Sequence, residues 1–515
     1  MRFEFRLKHI FFCCCFTASV VIFLAFLLNA YWTYNISFPV GWDPAVYIFS
    51  ARRIVQIGLL NYIVTNAYPN LYMILLSAVS FLTSNFTISE MVMPPVLSIL
   101  LLFVNFLIAR KASNNSYLSG LSFIFSISIS TIWLVSNLHR QLLTLLLVWS
   151  AFYILTNGRP YTLSKKMLVV AMLTLASWTH VETFGLALLT LLIYLAIFRD
   201  KSAAKLVLTS TGISLVLLLP LAPRFISYYL LLLPKAFSSS SAPLLGTYQL
   251  YLGGMLFPLA LFGLFEIFHS FMIEKQRIAA LLTIWSFLII LGAPLIYITE
   301  PRYPVWRMLL LLPTPVLLAL GLKAITDLLN EKTGARKISI TFQSRGAPSK
   351  PSRHRASLTT IVLLSLLLPA VYISVIQGCQ VANQLYRPWI ANSAVEKLRY
   401  VAANIVFDKT PIFVLYGYSD PGLAELHNLW ISAVVGEHFT YYGEIHSLHN
   451  KTQLTIGQEF LTSTLPSELS GMSDDAFLDT PIVVIGDFYS QQMQSLLEFE
   501  ISNGIYVFRL KDLSP

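Results

Sequence analysis

Read by its hydrophobic pattern, the chain is a series of long apolar runs separated by short polar loops. The first run, Ile10 to Tyr31, is about 22 residues long, enough to cross a bilayer. Basic residues precede it (Arg2, Arg6, Lys8) and aromatic residues close it (Tyr31, Trp32, Tyr34), the pattern of an anchor with its N-terminus inside. Pro44 to Ile57 reads as an amphipathic helix lying in the interface. Leu71 to Leu82 is too short to span and reads as a second interfacial or re-entrant helix. The following runs are Val92–Ala109, Leu118–Val135, Leu142–Leu155, Met167–Trp178, Phe184–Phe198, Leu206–Leu221, Tyr251–Phe271, Ile278–Ile298, Met308–Ile325 and Leu358–Ile376. They predict a mostly α, polytopic membrane protein with about eleven transmembrane helices, N-terminus in and C-terminus out.

Beyond about Ser393 the pattern changes. Ala394–Val406 and Leu423–Val435 read as helices, and Thr410–Tyr416, Thr480–Gly486 and Gly504–Leu510 as short strands. The expected organisation is therefore a transmembrane domain over residues 1–378, with interfacial helices in a first outer loop at 35–91, and a small α/β extracytoplasmic domain at 379–515.

Composition supports membrane embedding. Only 12% of residues are charged and 56% are hydrophobic, where a soluble domain carries roughly 25% charged. The net charge of +10 raises nucleic acid as a partner. The basic residues, however, fall in loops on the predicted inner side, most densely at Lys332, Arg336, Lys337, Arg345, Lys350, Arg353 and Arg355. That is the positive-inside pattern, and no nucleic-acid partner is expected. Cys13, Cys14 and Cys15 are adjacent and Cys379 is remote, with no CxxC pair, so neither a disulfide framework nor a zinc site is read. The Cys triplet reads as small apolar residues in a helix, with palmitoylation the alternative.

The candidate chemistry lies at the predicted outer face. Asp43 follows the first span and precedes the interfacial helix. With it come Arg52, Arg53, Glu90, His139, Arg140, His180, Glu182, Arg224, Lys235, Glu300, Arg302 and Arg307. A carboxylate among several guanidiniums suits sugar transfer from a lipid phosphate. A base must take the acceptor's proton, and cations must hold the departing phosphate, which Arg does with its planar fork. Phosphate leaves readily, so the second carboxylate of glycoside hydrolysis is not needed. Each residue has a plainer reading. Asp43 before Pro44 is also a helix start. Arg302 and Arg307 also suit snorkelling to headgroups, and Arg52 and Arg53 read more readily as solvated or lipid-facing. His180 and Glu182 form either a turn or a pocket wall. The run Glu437, His438, Glu444, His446, His449 matches no standard metal spacing. Asn35-Ile36-Ser37, Asn85-Phe86-Thr87 and Asn450-Lys451-Thr452 match the N-glycosylation sequon, a motif short enough to recur by chance.

Three stretches carry a family resemblance: Gly41-Trp42-Asp43-Pro44-Ala45-Val46-Tyr47 after the first span, Arg302-Tyr303 through Trp306-Arg307-Met308 to Pro313, and then Leu320-Gly321-Leu322. The order and common side of these stretches resemble the GT-C superfamily of polytopic glycosyltransferases, of the protein mannosyltransferase and aminoarabinose transferase type. The turns Asn137-Leu138-His139-Arg140-Gln141 and Thr179-His180-Val181-Glu182 add to it. The resemblance implies a polyprenyl-phosphate-linked sugar donor, with Asp43 as catalytic base and Arg307, Arg302 and Arg140 holding the lipid phosphate. Tyr47, His180, Glu182 and Glu300 would complete the pocket. Many members carry two adjacent acids in the first loop, but Pro44 follows Asp43 here. Glu182 or Glu300 would have to supply a second acid, and catalysis without a divalent metal or other cofactor is expected. The implied activity is a hexosyltransferase acting on a protein, lipid or glycan acceptor at the outer face of the cell membrane. Two other classes fit the composition: a transporter or flippase of lipid-linked sugars, and a non-catalytic scaffold. Transporters place ionisable groups at mid-membrane, whereas these apolar runs are almost free of charge.

Overall fold

A computed structural model describes residues 2–41, 43–65, 71–157, 161–223, 251–299, 305–333, 337–340, 354–386, 388, 392–404, 413–416, 430, 433–434, 481–485, 500–502 and 505–509. The helices are α1 (Arg2–Tyr34), α2 (Pro44–Ile57), α3 (Leu59–Thr65), α4 (Leu71–Thr83), α5 (Phe86–Ser113), α6 (Ser116–Phe125), α7 (Ile129–Ser136), α8 (His139–Thr156), α9 (Leu163–Ser177), α10 (Val181–Phe198), α11 (Lys201–Leu218), α12 (Phe257–Met272), α13 (Arg277–Thr299), α14 (Val305–Leu309), α15 (Thr314–Thr333), α16 (Leu358–Leu385) and α17 (Asn392–Asn404). The chain divides into two compact units. One comprises Met1–Ala30, Leu60–Tyr72 and Val92–Arg387; the other comprises Tyr31–Leu59, Met73–Met91 and Pro388–Pro515.

Every apolar run read as a span lies on a helix or a broken helix pair. Among the described residues, five helices are long and apolar enough to cross a bilayer: Ile10–Tyr34, Phe86–Ser113, Val181–Phe198, Lys201–Leu221 and Gly254–Met272. Two expected continuous helices are interrupted. Leu118–Val135 is the pair α6 and α7, bent by 53°. Serines cause the break: Ser126 Oγ turns back to the Ser122 carbonyl (2.7 Å) while Ser128 accepts the Thr131 N–H (3.4 Å) as the cap of α7. Met308–Ile325 is split between α14 and α15 at Pro313, which has no N–H to continue a helix.

In the first unit, α12 and α15 make the tightest contact. A Cβ on Gly263 would run into the backbone carbonyl of Leu317, and one on Gly321 into that of Leu259. These pairs lie one turn apart in opposite directions, so the helices cross antiparallel with a glycine facing a carbonyl at both positions. Small residues permit such backbone approach, and packing contacts replace the hydrophobic drive that lipid does not supply. Trp149, Phe152 and Trp285 lock α8 to α13, with the two indoles 5.1 Å apart. Phe12 packs on Phe106 and Phe123, and Cys15 is buried in that apolar cluster as a small core residue. The Asp200 side chain, 0% exposed, caps α11 through the Ala203 N–H (3.0 Å) and pairs with Arg277 (3.3 Å). Lys111 Nζ donates to Asn157 Oδ1 (3.1 Å), which ties the C-terminal ends of α5 and α8. These basic ends belong to the loops that the positive-inside pattern assigns to one side.

In the second unit, α2 occupies Pro44–Ile57, as its amphipathic pattern predicts, and buries Ala45, Tyr47, Ile48, Ala51 and Ile54 as a helical stripe. Helix α17 buries Val395, Leu398 and Val401. Arg52 is a correction to the lipid-facing expectation. Its guanidinium donates to the Val434 carbonyl (3.2 Å) and lies 5.7 Å from the centre of the Phe86 ring. The strands β3 (Phe413–Tyr416), β4 (Pro481–Ile485), β5 (Glu500–Ser502) and β6 (Ile505–Arg509), numbered after a short β1–β2 ribbon (Lys337–Ile340, His354–Ser357) in the basic loop, form a sheet of order β3-β4-β6-β5. β3 and β4 are parallel and the other pairs antiparallel. The expected helix at Leu423–Val435 falls largely outside the described residues, as does the His/acid run at 437–449.

Replacing Gly321 with Ala should force α12 and α15 apart and cost about 1–3 kcal/mol. Gly212 in α11 has nothing within 4 Å of an added Cβ, so Gly212→Ala should be neutral or stabilising by about 0.4–1 kcal/mol. Thermal unfolding of the detergent-solubilised variants, read side by side, tests the pair. Equal midpoints would contradict the close crossing.

Candidate functional site

In the second unit, Asp43 stands just before α2, with Pro44 at the first helical position. A capping Asp would take extended backbone angles and accept a first-turn N–H. Asp43 does neither: its φ and ψ are −67° and −27°, and its side chain makes no capping bond. Instead the Tyr47 hydroxyl donates to Asp43 Oδ2 (3.3 Å), while the Tyr47 N–H donates to the Asp43 carbonyl (3.2 Å). Tyr47 is buried, so a core residue one helical turn away orients a partly exposed carboxylate.

In the first unit, three of the expected site residues, Arg140, His180 and Glu182, stand at helix beginnings, and a fourth, Arg307, lies in the last turn of α14. His180 is the cap of α10, with extended φ and ψ of −156° and 105°. Its Nδ1 accepts the Thr183 N–H (3.3 Å) and lies 2.9 Å from Thr183 Oγ1. An accepting Nδ1 leaves the proton on Nε2, so the neutral ring presents an N–H donor there. Glu182 Oε2 is 3.2 Å from the same Nδ1; the two side chains are 35% and 14% exposed. Burial is the largest influence on His180 and pushes its pKa down to about 4; the positive charges of Arg140 and Arg307 add to the depression and Glu182 opposes it. Arg140 and Arg307 are therefore both close enough for their charge to act on this ring.

Local packing holds these groups. Arg140, in the first turn of α8, donates from Nε to the Thr179 carbonyl (3.0 Å). The preceding carbonyl, of Trp178, accepts the Leu71 N–H (3.0 Å). His139 is buried and structural: its Nε2 donates to the Val135 carbonyl (2.8 Å) and its Nδ1 accepts from the Tyr72 hydroxyl (3.3 Å). Arg307 sits on α14, and the chain just beyond it is pinned by Trp285, whose indole donates to the Leu311 carbonyl (2.8 Å). Two guanidiniums, an imidazole N–H and the positive end of the α10 dipole make an arrangement suited to phosphate.

Glu300 and Arg302 lie outside the described residues. The sequence reading did not foresee Thr183 or the Tyr72–His139 pair. A His followed three positions later by Thr at a helix start is a local sign for the first, whereas nothing local marks the second, a contact across 67 positions. Among the described residues, no three His, Cys, Asp or Glu side chains are grouped to hold a metal.

The architecture has known counterparts. The crystal structure of the Archaeoglobus fulgidus oligosaccharyltransferase in its apo form aligns over 92% of this chain and 69% of its own, with TM-score 0.58 and 12% identity. ArnT from Cupriavidus metallidurans bound to undecaprenyl phosphate aligns over 96% and 98%, with TM-score 0.56 and 13% identity. The arabinofuranosyltransferase AftD from Mycobacteria aligns over 91% of this chain but 35% of its own, with TM-score 0.51 and 14% identity. These are GT-C glycosyltransferases, and the chain has their fold. No family model matches the sequence, and no curated protein sequence matches it.

The depressed His180 pKa predicts a pH effect. Its folded-state value of about 4 lies below the ordinary 6.5, so the unfolded chain takes up the proton first as pH falls. Stability should drop between pH 6.5 and about 4, by up to about 3 kcal/mol. Thermal unfolding of His180→Gln across that range should show a shallower decline than the parent. Parallel curves would mean that the ring is not held neutral.

Proposed function

We propose that the chain is an inverting glycosyltransferase that moves a hexose from a polyprenyl-phosphate donor to a protein, lipid or glycan acceptor at the extracytoplasmic face of a multi-pass membrane protein. The observation that carries the reading is Arg140 held against the Thr179 carbonyl beside the His180 cap of α10, with the charges of Arg140 and Arg307 near enough to act on that imidazole. The GT-C fold supports it. The bond between Asp43 and Tyr47 supports a base role for the carboxylate, since an oriented acceptor group is what proton abstraction needs.

In this mechanism the acceptor hydroxyl oxygen attacks the anomeric carbon on the face opposite the phosphate. The bond from that carbon to the phosphate oxygen breaks, and the electron pair leaves with the polyprenyl phosphate. The hydroxyl proton passes to Asp43. A second negative charge develops on the phosphate as the bond opens, and Arg307, Arg140 and the Nε2–H of His180 stabilise it. Arg302 is proposed as a further phosphate ligand and Glu300 as a pocket residue by their sequence pattern alone, and Glu182 is taken as the acid that offsets the local positive charge. No metal is assigned a step. The segment 379–515 is proposed as an extracytoplasmic α/β domain. A flippase is less well supported, because the clustered ionisable residues lie at the ends of helices or on the short α14 rather than along the spans.

Asp43→Asn keeps size and polarity and removes basicity. Transfer from a polyprenyl-phosphate sugar by the purified variant should fall by roughly 10²–10⁴, with an unchanged unfolding midpoint. Arg307→Gln should lower kcat by roughly 10²–10³. A fully active Asp43→Asn enzyme would remove the proposed mechanism.

A further inference from the structure

The second unit holds a cavity of about 790 Å³ that the transfer reaction does not use. That volume falls in the range of small-molecule sites. Its wall has three parts. One is the beginning of α5, from Ser84 to Ile88; the others are the face of α2 that carries Arg52 and the face of α17 that carries Arg399, closed by Trp430. No Asp or Glu is among the described residues that line it.

The polar groups there are donors. Arg52 spends one N–H on the Val434 carbonyl. Arg399 binds Ser37 through its hydroxyl (3.0 Å) and its carbonyl (3.4 Å). A guanidinium has five N–H groups, so both keep donors in hand, and among the described residues neither is paired with a carboxylate. Burial draws the Arg52 pKa below its ordinary value, the mark of a cation deprived of water. Asn85 uses its carbonyl oxygen to cap α5, accepting the N–H groups of Thr87 (2.8 Å) and Ile88 (3.2 Å); its NH₂ is what remains. Trp430 is 2% exposed and packs on Phe38 at 5.1 Å. Its indole nitrogen is closed off from the open space of the cavity, so Trp430 contributes an aromatic wall and not a ligand group.

Two cations at the positive end of a 28-residue helix call for an acceptor-rich anion. A doubly charged phosphate monoester fits two guanidiniums better than a carboxylate does. The rest of the wall is apolar, including Phe38, Ile48, Phe86 and Met91, so the phosphate should be borne on an organic body. We propose that this cavity binds a compact organic phosphate, held by Arg52 and Arg399. The site stands apart from the sugar-transfer reading and does not depend on it.

Two sources share this chemistry, a soluble phosphosugar and a lipid headgroup. The test uses the full chain carrying Arg140→Gln and Arg307→Gln, which silences the other anion cluster, in phosphatidylcholine nanodiscs. Calorimetric titration with glucose 1-phosphate should give saturable binding with Kd below about 1 mM. Arg52→Gln and Arg399→Gln should each weaken it at least tenfold, with unfolding midpoints retained. If glucose 1-phosphate binds only weakly but phosphatidic acid in the nanodisc raises the unfolding midpoint in an Arg52- and Arg399-dependent way, the headgroup is the occupant and the proposal holds. Absence of both effects, binding indifferent to both substitutions, or inorganic phosphate binding as tightly as the ester would each overturn it.

Discussion

A backbone surrounded by hydrocarbon has only itself to bond to. The long apolar runs therefore become helices, and almost every charge is driven to where a helix begins or ends. The consequence is visible on both sides of the first unit. At one set of ends, Asp200 meets Arg277 and Lys111 meets Asn157. At the beginnings of α8 and α10, Arg140 and His180 share the α9–α10 turn through Thr179. Charges within these helices are kept by pairing, as Glu266 of α12 and Lys323 of α15 are with each other.

Within that constraint, the first-unit cluster is built for selectivity by charge. Burial and two nearby guanidiniums keep His180 neutral, so the ring serves as a directed N–H donor instead of a third cation. Glu182 beside it limits the positive charge. In the proposed reaction, such a site would favour the phosphate as its charge grows, which is the differential binding that catalysis requires.

The second unit shows the same chemistry in another setting. Asp43 is oriented by Tyr47 rather than used as a cap. Arg52, which an isolated helical wheel would hand to lipid or water, turns inward to a carbonyl and an aromatic ring. Arg399 and Trp430, from a part of the chain more than 300 positions away from Arg52, complete the wall of its cavity.

The amino-acid pattern by itself determined the helices. Apolar length and polar interruption are local properties, so α2, the apolar runs and the strands at Phe413–Tyr416, Pro481–Ile485 and Ile505–Arg509 were all legible. The candidates Arg140, His180, Glu182 and Arg307 were legible too, because charges next to apolar runs stand out. The order and side of these motifs pointed to the GT-C fold. Tertiary structure decided the rest. Whether Ser126 to Ser128 bends a helix depends on which bonds the serines choose. Whether Gly321 matters depends on a carbonyl that faces it. That His139 is structural while His180 stands among cations, and that Arg52 lines a cavity, follow from partners distant in the chain. Such contacts are set by packing in three dimensions, and no local pattern of polar and apolar residues encodes them.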